Sequence, residues 1–336
     1  QLKEENKILK LENAIAKKSE RLGSIERLTN KEKFQITIEL RQEFKKLFSI
    51  KLILEKIKLK KSTFYEILKS QNKPDKDENL KKLIFDLFNY NKGLYGYRRI
   101  TFALRNKGTM INHKKVQKLM KSLNLFGKTL RRKNKYSSFK GDAHKNIPNL
   151  LLDKENITED FFRYKRIFSS DKYLKILGTD VTEFKLKNEE KAYFSPVVDF
   201  ENREILGYSI SKSPNLRMIG KMLENVEENG HSLNNVLLHS DQGWQYTHEE
   251  YINYLKEKQT IQSMSRKGNC LDNSPTECLF SVIKREFWFE EENRFKSFKE
   301  FKTALEKYIS YYNNDRIVNK LKGLSPVQYR NKSKHN

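Results

Sequence analysis

Residues 239–286 read HSDQGWQYTHEEYINYLKEKQTIQSMSRKGNCLDNSPTECLFSVIKRE, and this stretch decides the fold. The apolar run Val236-Leu237-Leu238 leads into His239-Ser240-Asp241. That pattern predicts a buried strand with a carboxylate at its C-terminal tip, where ligand sites in open α/β sheets lie. Ser274-Pro275-Thr276-Glu277 then opens a helix, with 35 residues between Asp241 and Glu277. A third acid, Asp180, stands inside LGTDVTEF (residues 177–184), an earlier strand-like run.

Three carboxylates with few other reactive groups beside them predict a cage for hard divalent cations. Mg²⁺ prefers oxygen ligands, usually one or two carboxylates plus substrate phosphate. Two such ions about 3.5–4 Å apart can clamp the attacking and leaving oxygens of an in-line displacement at phosphorus. Converging carboxylates repel, so without a cation at least one takes up a proton. Each acid alone has a purely structural reading as well. Ser274-x-x-Glu277 is also a capping box, with Pro275 at the first helical position. Asp241 precedes Gln-Gly and suits a turn. Asp180 suits a strand end. Their order and spacing together carry the metal reading.

The helix after Pro275 sharpens it. At about 100° per residue, Glu277, Ser281 and Lys284 share one face. Leu279, Phe280, Ile283 and Phe287 form a separate apolar stripe that can dock on a sheet. Lys284 would then lie beside Glu277, placed to meet a phosphate, unless it is an ordinary solvated lysine.

This arrangement resembles the catalytic core of the DDE transposases and retroviral integrases, which have a ribonuclease-H-like fold. HSDQGWQY, SMSRKGNCLDNSPTECLFSVIKRE and YNNDRIVNKLKGLSPVQYR resemble, in series, the bacterial insertion-sequence transposases made as a frameshifted fusion of two reading frames. The resemblance covers residues 40–330. It implies that Asp180, Asp241 and Glu277 are catalytic and hold Mg²⁺, with Mn²⁺ able to substitute. It also implies that Lys284 orients the terminal phosphate. In that family the region corresponding to residues 1–28 ends the first reading frame and multimerises the protein. Two positions depart from the family pattern: Val318 stands where a histidine is usual, and Leu177 where a tryptophan is common.

The 336 residues suffice for two or three domains. The net charge of +25 is unevenly spread. Residues 1–172 carry 43 Lys/Arg against 20 Asp/Glu, and residues 173–336 carry 25 against 23. A basic front half on a near-neutral back half predicts a nucleic-acid-gripping region joined to something else. The two cysteines, Cys270 and Cys278, and the six histidines lack zinc-ligand spacing, and no disulfide is expected in a cytosolic protein. No apolar run approaches a membrane span and no signal peptide is visible. The chain begins at Gln1 rather than Met, as expected of a fragment or a processed chain.

Residues 1–28 alternate charge and aliphatics. Ile8, Leu11, Ile15, Leu22 and Ile25 fit a heptad seam broken by Lys18, and a rival register uses Leu2, Leu9 and Ala16. Either suggests a short coiled coil, with a solvated single helix as the alternative. Residues 29–70 hold a helix-turn-helix-like segment at SIKLILEKI and STFYEILK, with Lys58 where a turn glycine is common. Ser62 is its expected N-cap, and Lys61 is offered to a DNA groove. Residues 70–78 read as a linker.

Residues 79–127 make a second helical module. GLYGYRRI followed by HKKVQKLMK resembles the small helix-turn-helix domain that precedes the core in the same family. Arg98, Arg99, Lys114 and Lys115 are its candidate DNA contacts, or else a solvated face. Residues 128–172 read as a basic linker, with Arg131 and Arg132 able to track a DNA backbone. The α/β core spans 173–290. Its expected order is three strands as a meander, beginning with YLKILGTDVTEFKL, and then helix, strand, helix, strand, helix. Arg266-Lys267-Gly268-Asn269 looks like a mobile basic loop that could hold a DNA end. Trp244 and Tyr246 could stack on bases, with core packing the simpler role for Trp244. Residues 291–336 form a C-terminal helical extension.

The whole pattern leads to a transposase that cuts and joins double-stranded DNA at the terminal inverted repeats of an insertion sequence. The expected steps are 3′-end nicking and then strand transfer into target DNA. A homo-oligomer, most simply a dimer, would act in the cytoplasm at the nucleoid, without a membrane. The rivals are a metal-dependent nuclease of the same fold and a non-catalytic DNA-binding relative.

Overall fold

The computed structural model describes residues 2–20, 25–44, 47–71, 75–128, 147–157, 164–169, 175–266, 269–289 and 295–333. The chain divides into two compact units, Gln1–Asn79 and Leu80–Asn336.

The first unit is all helical: α1 (Leu2–Glu20), α2 (Asn30–Glu43), α3 (Ile50–Ile57) and α4 (Lys61–Gln71). Thr29 and Glu32 close a capping box at the start of α2, and Ser49 caps α3 by accepting from the Leu52 N–H. Phe34, Leu40, Ile53, Ile57 and Phe64 form the core. Lys58 ends α3 at φ +56°, the left-handed conformation that glycine adopts at less cost. Its backbone N–H bonds the Glu55 carbonyl at 3.1 Å and its Nζ reaches Glu26 at 2.9 Å, so the turn closes without a glycine.

Two expectations are corrected here. Ser62 is not an N-cap: α4 starts at Lys61, and the Lys60 carbonyl takes the Phe64 N–H. The α1 seam is not left for a partner helix either. Leu11 and Ile15 are fully buried against the unit's own helices, while Leu9 of the rival register is 55% exposed. An apolar stripe buries first against surface tethered to it, where the effective concentration is highest.

The second unit opens with α5 (Glu78–Tyr90), α6 (Tyr97–Asn106) and α7 (His113–Ser122). Their apolar faces, including Ile84, Leu87, Ile100, Leu104, Val116 and Met120, share one core. Asn112 caps α7. Part of the expected linker is ordered: β1 (Leu152–Ile157) and β2 (Tyr164–Arg166) pair as a small antiparallel hairpin. Arg131 and Arg132 lie outside the described residues.

The main sheet holds β3 (Ile176–Thr179), β4 (Thr182–Lys185), β5 (Lys191–Asp199), β6 (Ile205–Ser211), β7 (Leu237–Ser240) and β8 (Ile261–Met264). Its order is β4-β5-β3-β7-β8, with β6 on the other edge of β5. The first expected strand is interrupted at Asp180-Val181. Both halves nevertheless pair with β5 in one register, Thr179 opposite Val197 and Thr182 opposite Phe194. In that register Pro196 falls opposite Asp180, and proline has no N–H for the ladder. At the same break the Val181 N–H donates to Asp180 Oδ1 at 2.7 Å.

After β6 the chain runs through α8 (Leu216–Glu228), β7, α9 (Trp244–Thr247), α10 (Glu249–Glu257), β8 and α11 (Ser274–Ile283). β3, β7 and β8 are parallel. This is the ribonuclease-H-like order that the sequence led us to expect. Both sheet faces are covered, which explains the near-continuous apolar strands. α8 and α10 pack on one face with Leu177, Val197 and Leu238. α11 and α12 (Phe298–Asn314) pack on the other with Phe184, Phe194 and Val198. Asn313 of α12 bonds both the N–H and the carbonyl of Ile205, pinning the start of edge strand β6 at 3.0 and 2.8 Å. α13 (Pro326–Ser333) ends the described chain. No helix among the described residues is long and apolar enough to cross a membrane.

Candidate active site

Asp180 and Asp241 stand at the ends of neighbouring parallel strands. Gly178 of β3 pairs with His239 of β7, and each aspartate lies two residues further on. Parallel strands run about 4.8 Å apart, so the two acids leave the sheet side by side. Helix α11 crosses the same tip. A Cβ on Gly178 would meet Thr276 Oγ1 at 2.6 Å, so only glycine lets the helix come this close. Asn273 donates from Nδ2 to the Thr179 carbonyl at 3.2 Å. Glu277 follows Thr276 directly and arrives over the Asp180 end of β3.

One oxygen of each aspartate is held by backbone. Asp180 Oδ1 accepts from Val181, and Asp241 Oδ1 accepts from the Gly243 N–H at 3.0 Å. The turn reading of Asp241 and its site reading therefore coexist. Burial pushes the Asp180 carboxyl up to about 8, helped by the charges of Asp241 and Glu277. Burial raises Asp241 as well. Lys284 lies near enough to oppose the Asp180 shift; burial lowers its own pKa, and its Nζ sits 5.9 Å over the Phe184 ring. Among the described residues no three His, Cys, Asp or Glu side chains close into a ready metal cage. The acids share one field without yet forming a three-ligand shell. An all-carboxylate donor set that is short of positive charge suits a hard divalent cation.

Ser274 does not start its helix as a capping residue. α11 begins at Ser274 with Asn273 in the N-cap position, and Asn273 makes no side-chain capping bond: its Nδ2 reaches the Thr179 carbonyl while its Oδ1 accepts nothing. At its other end α11 widens into a π turn, Lys284–Trp288, closed by the Phe289 N–H to the Lys284 carbonyl at 2.9 Å. Glu286, Phe287 and Trp288 are consequently all buried in succession. Below the strand tip, His239 is buried between Ser263 and Ser265, with each ring nitrogen 2.9 Å from a hydroxyl. Burial lowers its pKa to about 4, so it stays neutral.

The remaining candidates separate clearly. Arg99 is turned inward and pairs with Glu286 at 3.0 Å, so it is not an outward DNA contact. The Arg266 side chain is tied down. It bonds both oxygens of the fully buried Asp272, at 3.0 Å each, and Arg166 of the hairpin bonds the same carboxylate at 2.9 Å. Two charge-assisted partners thus hold the buried Asp272 carboxylate, one of them Arg266 at the start of the basic stretch. Lys267 lies outside the described residues. Arg98, Lys114 and Lys115 are exposed on the helix-turn-helix module, and Lys61 on the first unit. Core packing, the simpler role for Trp244, falls to Tyr246: Trp244 is 51% exposed, and Tyr246 is fully buried with its hydroxyl 3.4 Å from Thr179 Oγ1.

Sequence reasoning missed Asp272, Asn273, Glu286 and Arg316 as organisers of the site. Glu286 is a lone acid next to an apolar helical stripe, and that signal could have found it. Val318, in the place of the usual histidine, makes a backbone bridge with Leu324. Leu177 is buried inside β3.

The HTH-like domain family matches residues 74–133, and integrase core domain families match residues 172–270 and 277–333. The chain is 41% identical over 291 residues to the putative transposase InsK for insertion sequence element IS150 of Escherichia coli (strain K12), covering 87% of this chain and 96% of that one. The chain belongs to the insertion-sequence transposases. This transposase is also 41% identical over 234 residues to a transposase-like protein of Haemophilus influenzae, covering 70% of this chain and 99% of that one. Among solved structures it is similar to the HTLV-2 integrase catalytic core domain in complex with magnesium in its trimeric form. There the TM-score is 0.38 and the identity 18%, over 48% of this chain and 99% of that one. As a transposase with an integrase core, the protein cleaves DNA and transfers strands.

Proposed function

We propose that Asp180, Asp241 and Glu277 hold Mg²⁺, or Mn²⁺ in its place, and carry both steps of transposition on double-stranded DNA. In the first step water attacks a phosphodiester at a terminal inverted repeat. The P–O3′ bond breaks, leaving a 3′-hydroxyl on the element and a 5′-phosphate on the flank. In the second step that 3′-oxygen attacks a phosphodiester of target DNA, the target's own 3′-oxygen leaves, and the number of phosphodiester bonds is conserved. When bound, divalent ions supply Lewis-acid stabilisation of the charge on the transferring phosphate and ease deprotonation of the attacking oxygen.

The chain's own groups do the rest. Asp180 and Asp241 offer parallel-strand tips a few ångströms apart, which suits carboxylates that must share one charge. Glu277 completes the set from α11. Lys284 holds the terminal phosphate as a point charge. Arg98, Lys114 and Lys115 of the helix-turn-helix module, and Lys61 of the first unit, grip DNA backbone. The protein works as a dimer that pairs two element ends, in the cytoplasm at the nucleoid. Because Leu11 and Ile15 are buried within the chain, self-association uses another surface.

The observation that carries this reading is the level of Asp180 and Asp241 on paired strands, with Glu277 packed across through Thr276 and Gly178. The test is Asp241→Asn, assayed with Mg²⁺ on a labelled terminal repeat. Nicking is expected to vanish while end binding persists; nicking at the wild-type rate removes Asp241 from the site.

A further inference from the structure

The Glu286 carboxylate is saturated. Its Oε1 accepts from Arg99 at 3.0 Å and from Arg316 at 2.7 Å, and its Oε2 accepts from Arg316 at 2.6 Å and from Tyr308 at 3.2 Å. A carboxylate has about four acceptor sites, so none is left over. Both Glu286 and Arg316 are 4% exposed. Such a cluster is more than a surface ion pair, because breaking it strands a buried charge.

Its position gives it a second meaning. Glu286 lies in the π turn that begins at Lys284. π turns are intrinsically poor and persist where something outside the helix holds them, often at functional sites. Arg316 and Tyr308 belong to the C-terminal part of the core. Arg99 alone comes from α6, in the helix-turn-helix module. The module is fastened to the same region elsewhere: Tyr95 accepts from the Ile317 N–H at 2.9 Å, Asn106 donates to the Gly323 carbonyl at 3.0 Å, and Phe102 packs on Gly323.

We infer that Glu286 is a positioning residue that ties Lys284 to the helix-turn-helix module, with Arg99 as the module's half of the link. DNA held on α6 and α7 is thereby registered against Lys284, two residues from the shared carboxylate. The inference rests on the phosphate-holding role proposed for Lys284.

The experiment is a double-mutant cycle in the full-length protein, on pre-nicked terminal-repeat DNA with Mg²⁺. Rates are single-turnover strand-transfer rates per end-bound complex, so a loss of folded protein drops out. Arg99→Ala leaves Glu286 paired with Arg316. It is expected to keep end binding within about twofold and to slow transfer by about 10- to 100-fold, the scale of a misplaced reacting group. Arg99→Lys keeps one charged donor and restores most of the rate. In a Lys284→Ala background, Arg99→Ala adds no further loss. If Lys284→Ala is slow but the two losses multiply, or if Arg99→Ala acts only on end binding, the link is overturned alone. If Lys284→Ala transfers at the wild-type rate, both the Lys284 role and the link are overturned.

Discussion

Asn273 binds the Thr179 carbonyl at 3.2 Å instead of capping its own helix. Asparagine is among the preferred N-cap residues, and its side-chain oxygen ordinarily takes an N–H of the first turn. Here that oxygen is buried without a hydrogen-bond partner, and the amide nitrogen spans to the residue before Asp180. Local helix stability is given up to fix α11, and with it Glu277, against the end of β3.

The Asn273 bridge is directly testable. Asn273→Ala removes one net hydrogen bond and also its orphaned oxygen, so unfolding should shift by only about 1 kcal/mol. Strand transfer should fall far more than that stability change would explain. Asn273→Asp, which cannot donate to the carbonyl, should be the worse variant in both assays. Urea melts and single-turnover rates compare the two effects; a rate unchanged in Asn273→Ala means the bridge does not set the acids.

Gly178→Ala should displace α11. Its new methyl group enters Phe200 and Thr276 Oγ1, and overpacking of this kind costs about 1–3 kcal/mol. The loss should appear as a lower melting temperature together with weaker metal binding, read by calorimetry. Retention of both means that the helix can retreat without moving Glu277.

Metal binding should depend on pH through Asp180. Its folded pKa of about 8 exceeds the ordinary 3.8, so between those values the metal-free folded chain keeps a proton the unfolded chain has lost. The contribution of this group to metal-free stability is full below pH 3.8 and is lost as pH rises through about 8. A cation must displace that proton, so affinity should climb with pH up to about 8, by at most about tenfold per unit. Calorimetry in buffers of different ionisation enthalpy should report proton release at pH 7. The release should fall in Asp180→Asn.

Glu286 titrates with the opposite sign. Burial raises its pKa, but Arg316 and Arg99 outweigh burial and bring it to about 2, below the ordinary 4.5. Its stabilisation is therefore present above pH 4.5 and is lost as pH falls through about 2. Glu286→Gln should destabilise the protein at pH 7 by about 3–5 kcal/mol, the cost of an unpaired buried cation. The gap between variant and parent should narrow below pH 4.5. Denaturant midpoints measured across that range check it, and a constant gap would assign the loss to packing.

Trp244 stands exposed three residues beyond Asp241. Trp244→Ala should leave the melting temperature unchanged and weaken DNA engagement by about 1–3 kcal/mol, the worth of one stacked base. Tyr246→Phe should act in the core instead. Fluorescence quenching of Trp244 by bound DNA is the simplest readout, and no quenching would place the indole outside the DNA path.

Much of this architecture was legible because it is local. The run Val236-Leu237-Leu238 shows as a continuous apolar stretch, the stripe Leu279, Phe280, Ile283 and Phe287 as a 3.6-residue period, and the three acids by their order and spacing. The errors lie where one local signal had two uses. The α1 seam looked the same whether its partner was another chain or its own unit. Asp180-Val181 hid inside the strand-like run LGTDVTEF, because the residue opposite the interruption, Pro196, comes from the paired strand.

By itself, then, the sequence determined the strands and helices of the core, the acids at two strand tips and the family. Periodicity and motif spacing are written along the chain. Only the tertiary structure decided which charges meet. Arg99 and Glu286 lie 187 residues apart, and Arg166 and Asp272 lie 106 apart. No local pattern distinguishes an arginine that faces DNA from one that neutralises a buried carboxylate. That choice is made when two surfaces exclude water together, since only there does an unpaired charge become too costly to leave.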